Sequence, residues 1–240
     1  MRVLITGGTR LAALLVDGGH DVALLSRGTA PGRSVRTASP AYPTYPWDPA
    51  AGTIDPAAVR WADAIVALAG ANVGEGRWTD VRKHELLASR VDGLALLRRE
   101  LAAPGHHVHT VLSASAIGLY GDTGDRVVTE DAPAGARGFL ADLTREWEEA
   151  AAPIAALGVR LVLPRIGVVL STAGGALPAM AAPVRLGLGA PVGDGRQYVS
   201  WIHVDDLCRT PAGHASAPSV VPSGPISTRS SGCGWRSIVQ

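Results

Sequence analysis

The chain has 240 residues, 47% of them hydrophobic and 18% charged, enough apolar material for one large domain or a domain with a small appended lobe. A formal net charge of +1 excludes the strongly basic or acidic surface that binds nucleic acid or an anionic membrane. Two cysteines, Cys208 and Cys233, and no leader-like segment predict free thiols in a reducing, cytoplasmic setting.

Residues 2–6 (RVLIT) form a continuous branched apolar run, as in a strand buried on both faces. Thr6-Gly7-Gly8-Thr9 follows. Residues 11–16 (LAALLV) predict the first helix, ended by Gly18-Gly19. Residues 21–25 (DVALL) predict the second strand, with Ser26-Arg27 at its C-terminal end. Residues 28–56, rich in Pro, Thr and Ala, predict irregular chain, with Trp47-Asp48-Pro49 closing a short edge strand. One helical turn over 57–61 leads into a buried strand over 63–68 (DAIVAL) and then Ala69-Gly70-Ala71-Asn72. After a loop over 74–78, Thr79 is placed to cap a long amphipathic helix running to about Ala102.

Residues 108–112 predict another parallel strand, ending in Ser113-Ala114-Ser115. A polar loop carries Tyr120-Gly121-Asp122 and Glu130-Asp131. A second long helix is expected over 139–157 and a strand over 159–163, which Val168-Val169-Leu170 extends or follows. Residues 166–184 are uncharged and about long enough to span a bilayer. Gly174-Gly175, Pro178 and Pro183 argue instead for a strand end, a glycine turn and a short buried helix. Residues 210–240 hold seven Ser and four Pro without periodicity, and read as a disordered or aberrant tail.

Strands alternating with helices predict an α/β fold, a doubly wound parallel sheet with helices on both faces. Ligands in such sheets sit at the C-terminal strand ends. That places Gly7-Gly8, Ser26-Arg27, Leu68-Ala69-Gly70, Ser113–Ser115 and Arg165–Gly167 in one row.

Several segments carry a family resemblance. They include Val3-Leu4-Ile5-Thr6-Gly7-Gly8-Thr9, Leu68-Ala69-Gly70-Ala71-Asn72, Gly76-Arg77-Trp78-Thr79 and Ser113-Ala114-Ser115-Ala116-Ile117-Gly118. Further on come Gly167-Val168-Val169-Leu170-Ser171 and Ser200-Trp201-Ile202-His203-Val204-Asp205-Asp206-Leu207. In this order they resemble the atypical extended short-chain dehydrogenase/reductases, the NAD-dependent epimerase/dehydratase-like proteins, over residues 1 to about 209. The resemblance implies a Rossmann dinucleotide-binding domain over 1–165 and part of a substrate lobe over 166–209.

Three departures stand out. The family's loop carries further glycines, whereas here Thr9 runs into Arg10-Leu11-Ala12, as if about five residues were removed. The Tyr-x-x-x-Lys pair of ordinary short-chain dehydrogenases is absent, its place taken by Phe139 and Leu143, a substitution the family shares. The only lysine, Lys83, has Thr79 four residues before it and cannot rebuild the pair. The resemblance is expected to end near Asp206-Leu207, which would leave the family's C-terminal substrate lobe incomplete.

Gly7 and Gly8, with Thr9, suit either the approach of a pyrophosphate to a helix N-terminus or simply a tight strand-to-helix turn. Arg10 replaces lost N–H donors there or is merely solvated. Arg27 stands where NAD-preferring proteins use an acidic residue, so with Ser26 it points to the 2′-phosphate of NADP, with NAD as the alternative. Leu68, Ala69 and Gly70 line the adenine-ribose side or are a plain strand end. The resemblance implies that Glu85 and Arg90 face the cofactor and that Val169 packs near the nicotinamide. Ser113 and Ser115 occupy the position of a hydroxyl that binds a substrate carbonyl, with Ser115 favoured and Ser113 beside the cofactor. Tyr120 is the only nearby phenol, and without a lysine it is a poor proton carrier at neutral pH. His203, Asp205 and Asp206 read as a loop-to-helix junction with an Asp cap. No ligand spacing predicts a metal, and no Gly-x-Ser-x-Gly elbow predicts a hydrolase. The expected function is that of an NADP(H)-binding epimerase- or oxidoreductase-like protein acting on a small molecule. The alternatives are a non-catalytic NADP-binding or regulatory module and an inactive degenerate member.

Overall fold

The structure, a computed structural model, describes residues 1–27, 42–135, 138–189, 195 and 198–209. The tail expected over 210–240, and residues 28–41 of the stretch expected to be irregular, lie outside these residues. The chain runs β1 (Arg2–Thr6), α1 (Thr9–Asp17), β2 (Asp21–Ser26), β3 (Thr44–Asp48), β4 (Thr53–Ile54), α2 (Pro56–Trp61) and β5 (Ala64–Ala67). Next come α3 (Asp80–Ala102), β6 (Thr110–Ser113), β7 (Ser115–Ala116), α4 (Phe139–Ala151) and β8 (Arg160–Val162). Last are β9 (Arg165–Ile166), β10 (Val168–Leu170), α5 (Ala176–Arg185) and β11 (Trp201–His203).

Among the described residues seven strands form the main sheet, in the order β4-β3-β2-β1-β5-β6-β8. This is the doubly wound Rossmann order with β4 added at one edge. Adjacent strands turn successive side chains to opposite faces, and the core divides accordingly. Leu4, Ile65 and Val111 pack with Val59, Leu94, Leu97 and Ile154 under α2, α3 and the end of α4. Val3, Ile5, Val66 and Leu112 pack on the other face with Leu11, Leu15 and Cys208. Each such aliphatic side chain contributes about 1.5–3 kcal/mol on burial. α3 crosses close over β3, because a Cβ on Gly93 would stand 3.0 Å from the Trp47 ring.

Five expectations need correction. The sheet is not parallel throughout, since β3 and β4 pair antiparallel. The strand expected to close at Trp47-Asp48-Pro49 is β3, but β4 follows it and takes the edge. Pro46 cannot donate within β3, but its carbonyl still accepts from the Asp55 N–H at 3.0 Å. The helix expected over 139–157 stops being α-helical at Ala151, and a tighter turn runs over Ala152–Leu157. Pro153 lacks the N–H and crowds the preceding turn, which favours that change. α5 has no buried residue, whereas the sequence predicts a buried helix. It packs on β10, which pairs with β11 away from the main sheet, so α5 never reaches the central core. The cap near residue 204 is not an aspartate. His203 Nδ1 accepts from the Asp205 N–H at 3.3 Å, at the start of a short helix over 204–209. Among the described residues no helix is long and apolar enough to cross a membrane.

Candidate functional site

The strand order reverses at β1, which lies between β2 and β5, so the crevice of this sheet opens at the C-terminal ends of those strands. Thr6 is in register with Leu25 on one side and Ala67 on the other, and Ala67 with Ser113. The strand-end segments Gly7-Gly8, Ser26-Arg27, Leu68–Gly70 and Ser113–Ser115 therefore share one edge. Thr6 ties two of them together, its Oγ1 accepting from the Leu68 and Ala69 N–H groups at 3.0 Å each.

Two residues connect β1 to α1. Gly7 and Gly8 have φ of 82° and 83°, a left-handed pair that turns the chain directly into the helix. Thr9 is the first helical residue, and Gly8 caps the helix with no side-chain hydrogen bond. The first-turn N–H groups thus lack a side-chain acceptor. A Cβ on Gly7 would stand 3.9 Å from the Ala69 backbone, in ordinary contact. On Gly8 it would stand 2.8 Å from Leu68 Cδ1, so Leu68 lies directly over that residue. Arg10, in the same first turn, pairs with Asp205, its Nε 2.7 Å from Oδ1. Ser26 ends β2 half-exposed, and Arg27 beyond it is exposed. The Ser26 hydroxyl lies 3.4 Å from the Arg27 carbonyl. An uncapped helix start on two glycines, with Arg10 and Arg27 nearby, is a donor set that fits phosphate esters.

Arg90 projects from α3 to the end of β5. Its Nη1 donates to the Leu86 carbonyl at 2.8 Å and its Nη2 to the Ala71 carbonyl at 3.2 Å. The guanidinium stacks over Trp147 at 4.9 Å, and its carbon is 3.0 Å from where a Gly70 Cβ would be. Burial and the charge of Arg82 push it below the ordinary arginine range. A cavity of about 10 Å³, room for about one water, lies beside it, lined by Thr6, Ala69, Ser89 and Trp147 among others. Glu85 is exposed and pairs with Arg82 at 2.7 Å. Arg90 therefore stands against the Gly70–Ala71 backbone, while Glu85 is turned to the helix surface.

Ser113 is fully buried at the end of β6. Ser115, on β7, donates its hydroxyl to Glu148 on α4. Glu148 in turn receives two hydrogen bonds from Arg165 on β9, from Nε and Nη2, each 2.9 Å. Arg165 Nη1 donates to the Tyr120 hydroxyl oxygen at 2.6 Å and to the Glu130 carbonyl at 2.9 Å. Burial pushes the Glu148 carboxyl up, but hydrogen bonds from Arg165 and Ser115 and the Arg165 charge outweigh it and leave the carboxyl below its ordinary range. Hydrogen bonding to Glu148, with Tyr120 adding to it, holds Arg165 above its ordinary range.

Phe139 opens α4, packed at 5.1 Å against Trp78, with Lys83 Nζ 5.9 Å above its ring. Leu143 is buried. Val169 is in β10, opposite Ile202 of β11. Among the described residues no group of three His, Cys, Asp or Glu side chains gathers to hold a metal.

Glu148 is a residue the sequence does not single out, and Asp205, expected at a helix cap, pairs instead with Arg10. Glu148 meets residues 17 and 33 positions away, a pairing no local pattern encodes. Arg165 is visible only as a charge at the end of a strand.

Comparison with known proteins agrees with the strand order. The model of the NAD dependent epimerase/dehydratase family matches residues 3–212. An epimerase family protein of Mycobacterium bovis is 43% identical over 194 residues, 81% of this chain and 63% of that protein. The chain thus spans under two thirds of that relative's length. The crystal structure of human epimerase family protein SDR39U1 (isoform 2) with NADPH is 33% identical, with a TM-score of 0.73 over 90% of this chain and 70% of that one. A nucleoside-diphosphate sugar epimerase from Corynebacterium glutamicum is 34% identical, with a TM-score of 0.69 over 88% of this chain and 42% of that one.

Proposed function

The chain belongs to the NAD-dependent epimerase/dehydratase family, and on that footing we propose that it binds NADP(H) across the ends of β1 and β2. There it acts as an epimerase- or oxidoreductase-like protein on a small carbonyl or hydroxyl compound. The observation that carries this reading is the left-handed Gly7-Gly8 turn at the point where strand order reverses, flanked by Arg27. Gly7, Gly8 and the first turn of α1 receive the pyrophosphate. Ser26 and Arg27 take the 2′-phosphate, a double negative charge that suits a guanidinium. Leu68, Ala69, Gly70 and Arg90 form the floor beside the adenine ribose, and Ser113 and Val169 approach the nicotinamide end. The NADPH of the human relative supports the choice of NADP over NAD. Once bound, the nicotinamide supplies or accepts the hydride. Ser115 and Tyr120 are the hydroxyls that contact substrate, and residues 166–209 contribute to the lobe that encloses it.

A second reading, a non-catalytic NADP-binding or regulatory module, is favoured by one observation. Phe139, in the place of the usual tyrosine, packs on Trp78 and carries no hydroxyl.

The test is a fluorescence titration with NADPH and NADH of this chain and of a version with the glycine loop restored. Saturable binding with NADPH preferred by about tenfold or more supports the proposal. No saturable binding of either nucleotide by either version ends it. Binding of NADPH without oxidation by any carbonyl leaves the regulatory reading.

A further inference from the structure

Tyr120, Arg165, Glu148 and Ser115 come from four separate segments and meet in one hydrogen-bonded row. We propose that Arg165 serves Tyr120 as the cation that lysine supplies in a Tyr-x-x-x-Lys pair, and that Glu148 is the residue that positions it. The assignment rests on the oxidoreductase reading above, since Tyr120 acts only if a substrate reaches it.

The geometry distributes protons in one way. Arg165 donates to the Tyr120 oxygen at 2.6 Å, and its guanidinium carbon lies 5.2 Å from the centre of the phenol ring. An oxygen that accepts from a fixed cation keeps its own hydrogen for another acceptor. A substrate carbonyl oxygen is such an acceptor. Ser115 is the opposite case. Its side chain is buried and its single hydrogen goes to Glu148, so only its lone pairs remain, and they could serve only as acceptors. The row therefore presents one donor and one acceptor, the pairing for a carbon that alternates between carbonyl and alcohol.

In the reducing direction the Tyr120 O–H bond breaks as the substrate O–H bond forms, while the carbonyl carbon gains a hydride from the reduced dinucleotide. The phenolate left behind faces Arg165, which stabilises the charge where it develops. Water returns the proton to Tyr120. In the oxidising direction each step reverses. Glu148 grips Arg165 through two nitrogens and so fixes the one that remains for Tyr120. It also neutralises part of the charge that Tyr120 feels, which makes Glu148 a positioning residue with a measurable sign.

The experiment uses the full chain without cofactor. Tetranitromethane nitrates tyrosine through the phenolate. Tyr120 nitration is followed by peptide mass spectrometry at about pH 8, with Tyr198 as the internal reference. Arg165→Met is expected to slow Tyr120 about fivefold, Arg165→Lys to stay within about twofold, and Glu148→Gln to speed it about threefold. Arg165→Met leaves Glu148 buried and unpaired, so the double variant Arg165→Met/Glu148→Gln supplies the same loss of cation without that penalty. A purely structural bridge would change melting and leave the nitration ratios equal, and equal ratios in all variants overturn the proposal. In a parallel arm NADPH oxidation is followed with 9,10-phenanthrenequinone, where Tyr120→Phe is expected to lose turnover with NADPH binding unchanged. If the nitration pattern holds while the wild type oxidises no NADPH, the Tyr120–Arg165 pair stands and the oxidoreductase reading falls.

Discussion

Arg10, in the first turn of α1, reaches Asp205 at the start of the 204–209 helix, 195 residues away in sequence, with Nε 2.7 Å from Oδ1. The pair places a carboxylate beside the turn proposed to receive a dinucleotide's phosphates. A carboxylate and a phosphate compete there for one guanidinium. Asp205→Asn is therefore expected to tighten NADPH binding about three- to tenfold, or about 0.7–1.4 kcal/mol. A fluorescence titration at fixed salt reads this, and an unchanged or weaker Kd means that Arg10 takes no part. Arg10 is itself largely exposed, so folding stability should change by no more than about 1 kcal/mol.

The two glycines of the turn should respond differently to alanine. Gly7→Ala adds only the cost of a left-handed residue, about 1–2 kcal/mol. Gly8→Ala adds the same cost and also drives a methyl group into Leu68 Cδ1. Its melting temperature should fall further than that of Gly7→Ala, by several degrees at about 2–4 °C per kcal/mol. Equal losses would mean that Leu68 swings aside freely.

Arg27 should decide between the two nicotinamide dinucleotides. Arg27→Ala is expected to weaken NADPH about tenfold and leave NADH within about twofold. Arg27→Asp should invert the preference, since an acidic residue there suits free ribose hydroxyls. Parallel loss of both nucleotides would show that Arg27 acts on something they share.

Acid should unfold the protein through two carboxylates in particular. Hydrogen bonds from Arg2 hold Asp63 below its ordinary range, and Arg165 and Ser115 do the same for Glu148 against its burial. A carboxyl depressed in the folded state stabilises above its unfolded value, about 4, and that contribution disappears as pH falls through the lower folded value. Asp63→Asn and Glu148→Gln should therefore be less stable than the wild type at neutral pH and converge with it near pH 2. Urea unfolding across that range tests this, and a gap that persists in acid would assign the loss to packing.

Much of the sheet is legible because its signals are local. The RVLIT and DAIVAL runs, the Gly18-Gly19 stop and the Thr79 cap each act within a few residues, and β1, β5, the end of α1 and the start of α3 lie close to where they are expected. Thr79 Oγ1 indeed accepts from the Arg82 N–H at 3.2 Å. β3 lies where a short strand closed by Trp47-Asp48-Pro49 is expected, whereas β4 is a two-residue strand that exists only through its partner. The strand-end row follows from topology, which periodicity does reveal. Glu148 does not follow, because nothing within the Glu-Trp-Glu-Glu run of α4 distinguishes the carboxylate that faces Arg165 from its neighbours. The absence of a lysine beside Tyr120 is plain in the sequence, whereas the arginine that reaches it is 45 residues away.

β1 pairs with β2 at a separation of about 19 residues and with β5 at about 61, as in Arg2↔Asp21 and Val3↔Ala64. Closing the longer loop costs about 1 kcal/mol more in chain entropy than closing the shorter. The β1-α1-β2 unit should therefore form as the folding nucleus, with β5, β6 and β8 added in turn. The two-residue turn at Gly7-Gly8 lies within that nucleus, so it bears on how fast the chain folds as well as on the proposed cofactor contact. Substitutions there should slow refolding, whereas those on β8 should mainly hasten unfolding.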